Sequence, residues 1–426
     1  MTEKQYDRVE ETLFHDMLQN GLHIYVDRKP GFAKSYAFFA TNYGGMDMRF
    51  QMDGQWHDTP AGVAHFLEHK MFDTKDGNAL QILSANGASP NAFTSTAITG
   101  YYFDSTEKFE ENLKTLLSFV SVPWFTPESV AKEQGIIGQE IRMGDDDPDT
   151  QVFYSMLKGL YEYSPVRIDI AGTVESIAQI TDQTLYDCHK AFYNPGNMVL
   201  CVAGDVDPQR VCALAREILP EEGKGEIPRD YGKPESNRAF QSEVVREMEV
   251  STPIFRLGWK AEPVDKGPER LRQQLMGELV CEALLGTSSP LYARLYEQGL
   301  VNDSFDYGYE AYPGVAILAA GGESRDPWAV RAEVMEETAR ICREGIEEHL
   351  WRRLKKAAYG NRVKTLNSFE SVCVNLAQGH FNGTDYLTFP EVYDGIEKSD
   401  VEQCIRRWIT SERTCLAVIR PKGSAK

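Results

Sequence analysis

Residues 220–238 form a polar stretch rich in glycine and proline, and the two parts of the chain on either side of it run through their elements in the same order. A segment of that composition cannot bury a core and reads as a linker. Before it, apolar runs over 22–26 and 36–41 read as strands, amphipathic helices follow, and residues 198–203 make a closing strand that ends at Gly204-Asp205. After it come a strand near 254–259, a helix over 271–285, strands around 307–320, long helices, a helix from Ser399-Asp400 through Trp408, and a closing strand over 414–419. A chain of 426 residues is too long for one core. The expected organisation is a domain over 1–220, a linker over 221–238 and a related domain over 239–426.

The chemistry is concentrated in the first part. If residues 59–73 form a helix, His65, Glu68 and His69 stand at i, i+3 and i+4, and two imidazoles and a carboxylate project from one face within a turn. Thr59 is placed to cap, Pro60 suits the first helical position, and Val63, Phe66, Leu67 and Met71 can bury the flanks. H-x-x-E-H is the inverse of the H-E-x-x-H zinc motif. A further ligand has to come from elsewhere in the chain.

The helix that opens near Thr126-Pro127-Glu128-Ser129 is the candidate source. At about 100° per residue, Glu133, Ile136, Ile137 and Glu140 share one face. Carboxylates set beside apolar residues need a partner, and the His65 helix is the expected neighbour. Gly135 and Gly138 inside this helix each cost about 1 kcal/mol relative to alanine, which is tolerable where another helix approaches closely. The second part has no histidine pair at ligand spacing; His349 and His380 stand alone.

Composition narrows the partners. Forty-five basic against 64 acidic side chains leave a formal charge of −19, which disfavours nucleic acid and anionic membranes. The N-terminus is polar with no apolar stretch behind it, and no run approaches a membrane span, so the expected location is the cytoplasm. The eight cysteines are scattered without any C-x-x-C and read as buried, reduced thiols.

With these residues in view, the chain resembles the M16 metallopeptidases, the inverzincins, and within them the short M16B branch that includes the mitochondrial processing peptidase. The resemblance is carried by His65-Phe66-Leu67-Glu68-His69, by Glu133 and Glu140, and by Asn91-Ala92-Phe93-Thr94 followed by Thr99-Gly100-Tyr101. The runs Glu133 to Arg142, Arg167 to Thr173 and Leu291 to Phe305 are similar to a bacterial subgroup labelled as associated with elongation factor P modification.

The resemblance implies an α+β fold of two similar α/β-roll halves, each a mainly antiparallel sheet covered by helices. It implies one Zn2+ per chain held by His65, His69 and Glu140, with Glu68 as general base and Glu133 orienting a ligand or balancing charge. The activity is then endopeptidase cleavage of extended or unfolded peptides. Asn91, Ala92, Phe93 and Thr94 would be an edge strand to which substrate adds as a further strand.

The family's second half commonly carries an Arg and, seven residues on, a Tyr that hold substrate. Here Tyr296 and Asn302 fall near those positions, with Arg294, Tyr307 and Tyr309 as substitutes. That departure, and a length half that of the four-domain family members, imply a dimer. A different M16B subunit is the first expectation and a homodimer the second. The alternative from another class is a non-catalytic scaffold or peptide-binding subunit, which normally lacks an intact zinc set.

Overall fold

Seven strands make the larger sheet of the computed structural model, which describes residues 1–223 and 225–423. They lie in the order Thr2–Tyr6, Glu11–Met17, His23–Arg28, Met198–Gly204, Ser35–Thr41, Thr99–Ser105 and Ser89–Thr94. Every pairing is antiparallel except that of Met198–Gly204 with His23–Arg28. Ser35–Thr41 and Met198–Gly204 are buried along their whole length, which explains their nearly unbroken apolar sequences. Thr2–Tyr6, exposed and polar at one edge, has no such pattern.

The second sheet has the order Glu243–Met248, Thr414–Pro421, Ile254–Lys260, Val315–Glu323 and Asp306–Tyr312. Here too the last strand in sequence sits between a parallel and an antiparallel neighbour. This reproduces, strand for strand, the five-strand path from His23–Arg28 to Ser89–Thr94. The repeated order is thus a repeated topology, and the first sheet carries two additional N-terminal strands.

The chain forms two compact units, and neither is continuous in sequence. The first takes 1–141, 168–231 and 363–387; the second takes 142–167, 232–362 and the segment from Thr388 onward. Each sheet is therefore covered on one face by a helix from the other part of the sequence. Phe369–Asn382 packs on Met198–Gly204 and Ser35–Thr41, and Pro148–Leu160 packs on Thr414–Pro421 and Ile254–Lys260. A Cβ at Gly159 would lie 2.2 Å from Cys415 Sγ, so glycine is what lets this helix settle on its sheet. The segment read as a linker is pinned: in the first unit Arg229 pairs with Asp47 at 3.0 Å and the Tyr231 hydroxyl donates to Asp47 at 2.8 Å.

On the other face of the first sheet lie Val63–Met71, Phe109–Ser121, Asp182–Phe192 and Pro208–Ile218, whose apolar sides fill one core with Ile24, Phe39, Tyr101, Phe103 and Leu200. The histidine helix starts later than Thr59 and Pro60 suggest. Its N-cap is Gly62 at φ +96°, with no side-chain cap, while the Thr59 hydroxyl donates to Met48 O. Both the left-handed φ and a close crossing call for glycine here, since a Cβ at Gly62 would stand 2.6 Å from Ala171 O. The Ala171-Gly172-Thr173 run is thereby tied to the start of the helix, and Ser176 Oγ donates to Ala61 O at 2.8 Å. Likewise Glu397, not Ser399 or Asp400, is the N-cap of Lys398–Trp408. Among the described residues no helix is long and apolar enough to cross a membrane. All eight cysteines are free.

Candidate active site

Val63–Met71 turns Val63, Ala64, Phe66, Leu67 and Met71 into the core, which leaves His65, Glu68 and His69 on the remaining stripe. Pro127–Asp146 supplies the other side of the site through Glu133 and Glu140. Its packing differs in one respect from the sequence reading: Ile137 is buried, but Ile136 points out to solvent. Nor does a helix crowd Gly135, where a Cβ would meet open space.

His65 Nε2 lies 4.0 Å and His69 Nε2 3.7 Å from Glu140 Oε2. The two imidazole rings are 4.6 Å apart at 62°. One donor atom from each of His65, His69 and Glu140 falls within 4.8 Å of the others, the one such cluster of three among the described residues. The far side of His69 is held by Glu133, whose Oε1 is 3.1 Å from Nδ1. With Nδ1–H donated to that carboxylate, Nε2 keeps its lone pair and faces Glu140. Glu68 is outside the cluster. It is 8% exposed, and its Oε2 accepts from Thr94 Oγ at 2.9 Å.

The protonation equilibria follow from these surroundings. Burial, and next the charge of His69, push the His65 imidazole down to about 4, so it is neutral at pH 7. Burial acts on His69 in the same sense, but the Glu133 bond and the charges of Glu140 and Glu68 outweigh it and leave its pKa raised. Burial raises Glu68 against the Thr94 hydrogen bond and the charge of His69, which makes it a stronger base than an exposed glutamate.

Two nitrogens, one carboxylate oxygen and a second, free carboxylate beside them fit a catalytic zinc, which takes three protein ligands and leaves a position open. A structural zinc would need a fourth ligand.

Ser89–Thr94 is the edge strand of its sheet, paired on one side with Thr99–Ser105. Its last residue carries the hydroxyl that holds Glu68, so the edge ends at the site. Ala92 N–H is bonded by its neighbour Asn91 Oδ1 at 2.9 Å. Phe93 stacks on Phe38 with centroids 5.7 Å apart, and the Phe38 ring occupies the space where a Cβ at Gly100 would be.

Lys70 escapes a reading from sequence. Its side chain is 2% exposed, bonded to Asp73, with Nζ 3.9 Å from Glu133 Oε2. In the sequence it follows Glu68-His69 as one more polar residue, with nothing to mark it as buried.

The proposed substitutes for the substrate pair lie in the second unit, each held locally. Arg294 is ion-paired with Glu337 at 2.9 Å and Glu333 at 3.5 Å. The Tyr307 hydroxyl donates to Glu282 at 3.2 Å, and Tyr309 is buried. Asn302 donates to Glu323 at 3.1 Å, and Tyr296 is exposed.

Comparison with known proteins places the chain in a family. Residues 53–174 match the family described as Insulinase (Peptidase family M16), and residues 179–358 match the Peptidase M16 inactive domain. A Bacillus subtilis (strain 168) protein described as the uncharacterized zinc protease YmfH is 39% identical, over 98% of this chain and 99% of its own length. The crystal structure of an M16-like peptidase from Alicyclobacillus acidocaldarius superposes with a TM-score of 0.93 at 31% identity, covering 97% of this chain and 99% of that one. A protease from Helicobacter pylori shares the fold with a TM-score of 0.81 at 18% identity, covering 96% of this chain and 99% of that one.

Proposed function

The chain belongs to the M16 peptidase family, and from that premise we propose that it is a zinc-dependent endopeptidase acting on extended or unfolded peptide segments. The observation that carries this reading is the Thr94–Glu68 hydrogen bond, 2.9 Å, which joins a buried carboxylate beside the ligand cluster to the end of an open sheet edge.

His65, His69 and Glu140 would hold the metal. Bound there, zinc supplies a Lewis acid for a peptide carbonyl and brings the pKa of a coordinated water down to about 7. The chain's own residues do the rest. Glu68 takes a proton from the attacking water and hands it to the leaving amine, and its burial favours the first of these transfers. Thr94 fixes the carboxylate that does so, while Glu133 fixes the His69 ring. A substrate strand pairing with Ser89–Thr94 offers its backbone carbonyls to donors such as Ala92 N–H, in exchange for the local Asn91 bond. Recognition through the backbone accepts many sequences and excludes folded ones.

Glu68→Gln tests the assignment. The variant is expected to keep its zinc and lose hydrolysis of a quenched peptide library, whereas His65→Ala loses both. Normal turnover by Glu68→Gln, or zinc loss equal to that of His65→Ala, would overturn the role of Glu68. The intact ligand set argues against a non-catalytic scaffold.

The chain is proposed to act as the zinc-bearing member of a dimer, with another M16B subunit or, failing that, a second copy. Tyr296 and Asn302 stand where the family's substrate-holding pair is expected, and the Arg294 guanidinium is already ion-paired. Light scattering, with peptidase assays in the presence and absence of a homologous subunit, decides. Full activity from a monomer refutes both versions.

A further inference from the structure

Lys70, the residue after His69, stands among the largest fully buried side chains of the described residues, where every other one is aromatic. Two further buried cations are satisfied largely by main-chain oxygens: Lys260 donates to Ser236 O and Arg238 O, and Arg270 to Val264 O and Ala311 O. Lys70 is held instead by two carboxylates. Asp73 binds it from three residues on, and Glu133 of Pro127–Asp146 brings Oε2 to 3.9 Å from Nζ. Replacing buried ion pairs by apolar side chains of similar volume is often neutral or stabilising. Stability alone therefore does not account for an ammonium at this position.

The geometry around Glu133 does. Each of its oxygens serves one of two consecutive residues, Oε1 meeting His69 Nδ1 at 3.1 Å and Oε2 facing Lys70 Nζ. Consecutive side chains leave a helix about 100° apart, so a carboxylate that reaches both is fixed in one orientation across the helix surface. Held through Oε1 only, it could swing about that bond. With the second oxygen held as well, the acceptor stays in line with Nδ1–H, and the ring keeps Nε2 toward Glu140. Lys70 is itself anchored by Asp73, whose strand Asp73–Thr74 pairs with Gly77–Asn78 in the hairpin that follows the histidine helix.

We propose that Lys70 is a positioning residue for the metal site: Asp73, Lys70 and Glu133 form a chain of ion pairs that holds His69 in its ligating orientation. This rests on the zinc-peptidase reading above. Electrostatics gives it a sign that can be tested. Acting through space, an ammonium repels a dication, so its removal would tighten zinc binding. Acting through Glu133, its removal loosens a ligand and weakens zinc binding. The second effect is expected to win, because two carboxylates in contact with the ammonium offset its repulsion.

Zinc affinity is measured by competition against a chelator for the intact chain carrying Lys70→Met, Glu133→Gln or both. Lys70→Met is expected to lower the affinity about tenfold, the low end for a group that orients a ligand. In the Glu133→Gln background the same change is expected to alter it by less than about twofold, because the carboxylate it acts through is gone. The visible absorption of Co2+ loaded in place of zinc reports ligand geometry; it is expected to shift in Lys70→Met and to be the same in Glu133→Gln and the double variant. With zinc saturating, kcat for a quenched peptide is expected to fall about tenfold and KM to stay within about twofold, since a side chain 2% exposed touches no peptide. If Lys70→Met alone does not fold, Glu133→Gln against the double variant decides, since there no buried carboxylate has lost its cation. Unchanged or tighter zinc binding by folded Lys70→Met, or an equal loss with and without Glu133, would overturn the proposal. A wild type that binds zinc but cuts no peptide defeats the peptidase reading, and the affinity ratios still decide Lys70; a wild type that binds no zinc defeats both.

Discussion

Two carboxylates on one helix face have different tasks, and their surroundings tell them apart. Glu140 Oε2 points between the two Nε2 atoms, while Glu133 meets the opposite nitrogen of His69. Glu140→Gln is therefore expected to weaken zinc binding more than Glu133→Gln, for which a loss of about 10–100-fold is typical of a residue that orients a ligand. Competition against a chelator ranks them, and the reverse order would exchange their roles. Thr94 offers a test by pH. Its hydroxyl stabilises ionised Glu68, so Thr94→Val removes a bond to the charged form and raises the Glu68 pKa further. Glu68 works only when ionised, so the acid limb of kcat/KM is expected to move to higher pH. A limb that stays in place would disconnect Thr94 from catalysis. At this scale the sequence was legible wherever spacing on one helix decides geometry, as with His65, Glu68 and His69. It was silent on Lys70 and on the Thr94–Glu68 contact, which depend on how separate elements meet.

Elements follow the sequence closely where one face is buried and the other is wet. Phe109–Ser121, Asp182–Phe192 with its Thr181 cap, and the central strands were all readable from apolar spacing and capping residues. Thr2–Tyr6 was not, because an exposed polar edge strand owes its conformation to the neighbour it pairs with. Pro127–Asp146 is instructive in the other direction. Two glycines in its interior suggested a close helix crossing, yet Gly135 is exposed and a Cβ there would meet nothing within 4 Å. With no crossing to serve, Gly135 only adds entropy to the unfolded chain. Gly135→Ala is expected to stabilise the protein by about 0.5–1 kcal/mol and raise the melting midpoint by about 1–3 °C. A lower midpoint would mean that the helix uses its glycine after all, for instance against substrate or a partner chain.

For the whole molecule, amphipathic spacing shows that a helix buries a face but not which sheet it buries that face against. Pro148–Leu160 reads as another helix of the first part and Phe369–Asn382 as another of the second, yet each covers the sheet built by the other part. A cut anywhere in 221–238 would separate both sheets from these helices. The fragment 1–238 would bare the face of Ser35–Thr41 and Met198–Gly204 that Phe369–Asn382 covers. The fragment 239–426 would bare Cys415, Ala417 and Ile419, which pack with Val152, Met156 and Leu160. Contiguous apolar surface of that kind drives association. Each fragment expressed alone is therefore expected to aggregate or to bind a hydrophobic dye strongly, although 1–238 contains every proposed zinc ligand. Co-expressed, the two are expected to copurify as a soluble pair that binds one zinc, because each then supplies the helix the other lacks. A soluble, monomeric 1–238 with the zinc affinity of the intact chain would show that the exchanged helices are dispensable coverings and that the first sheet holds its site without them.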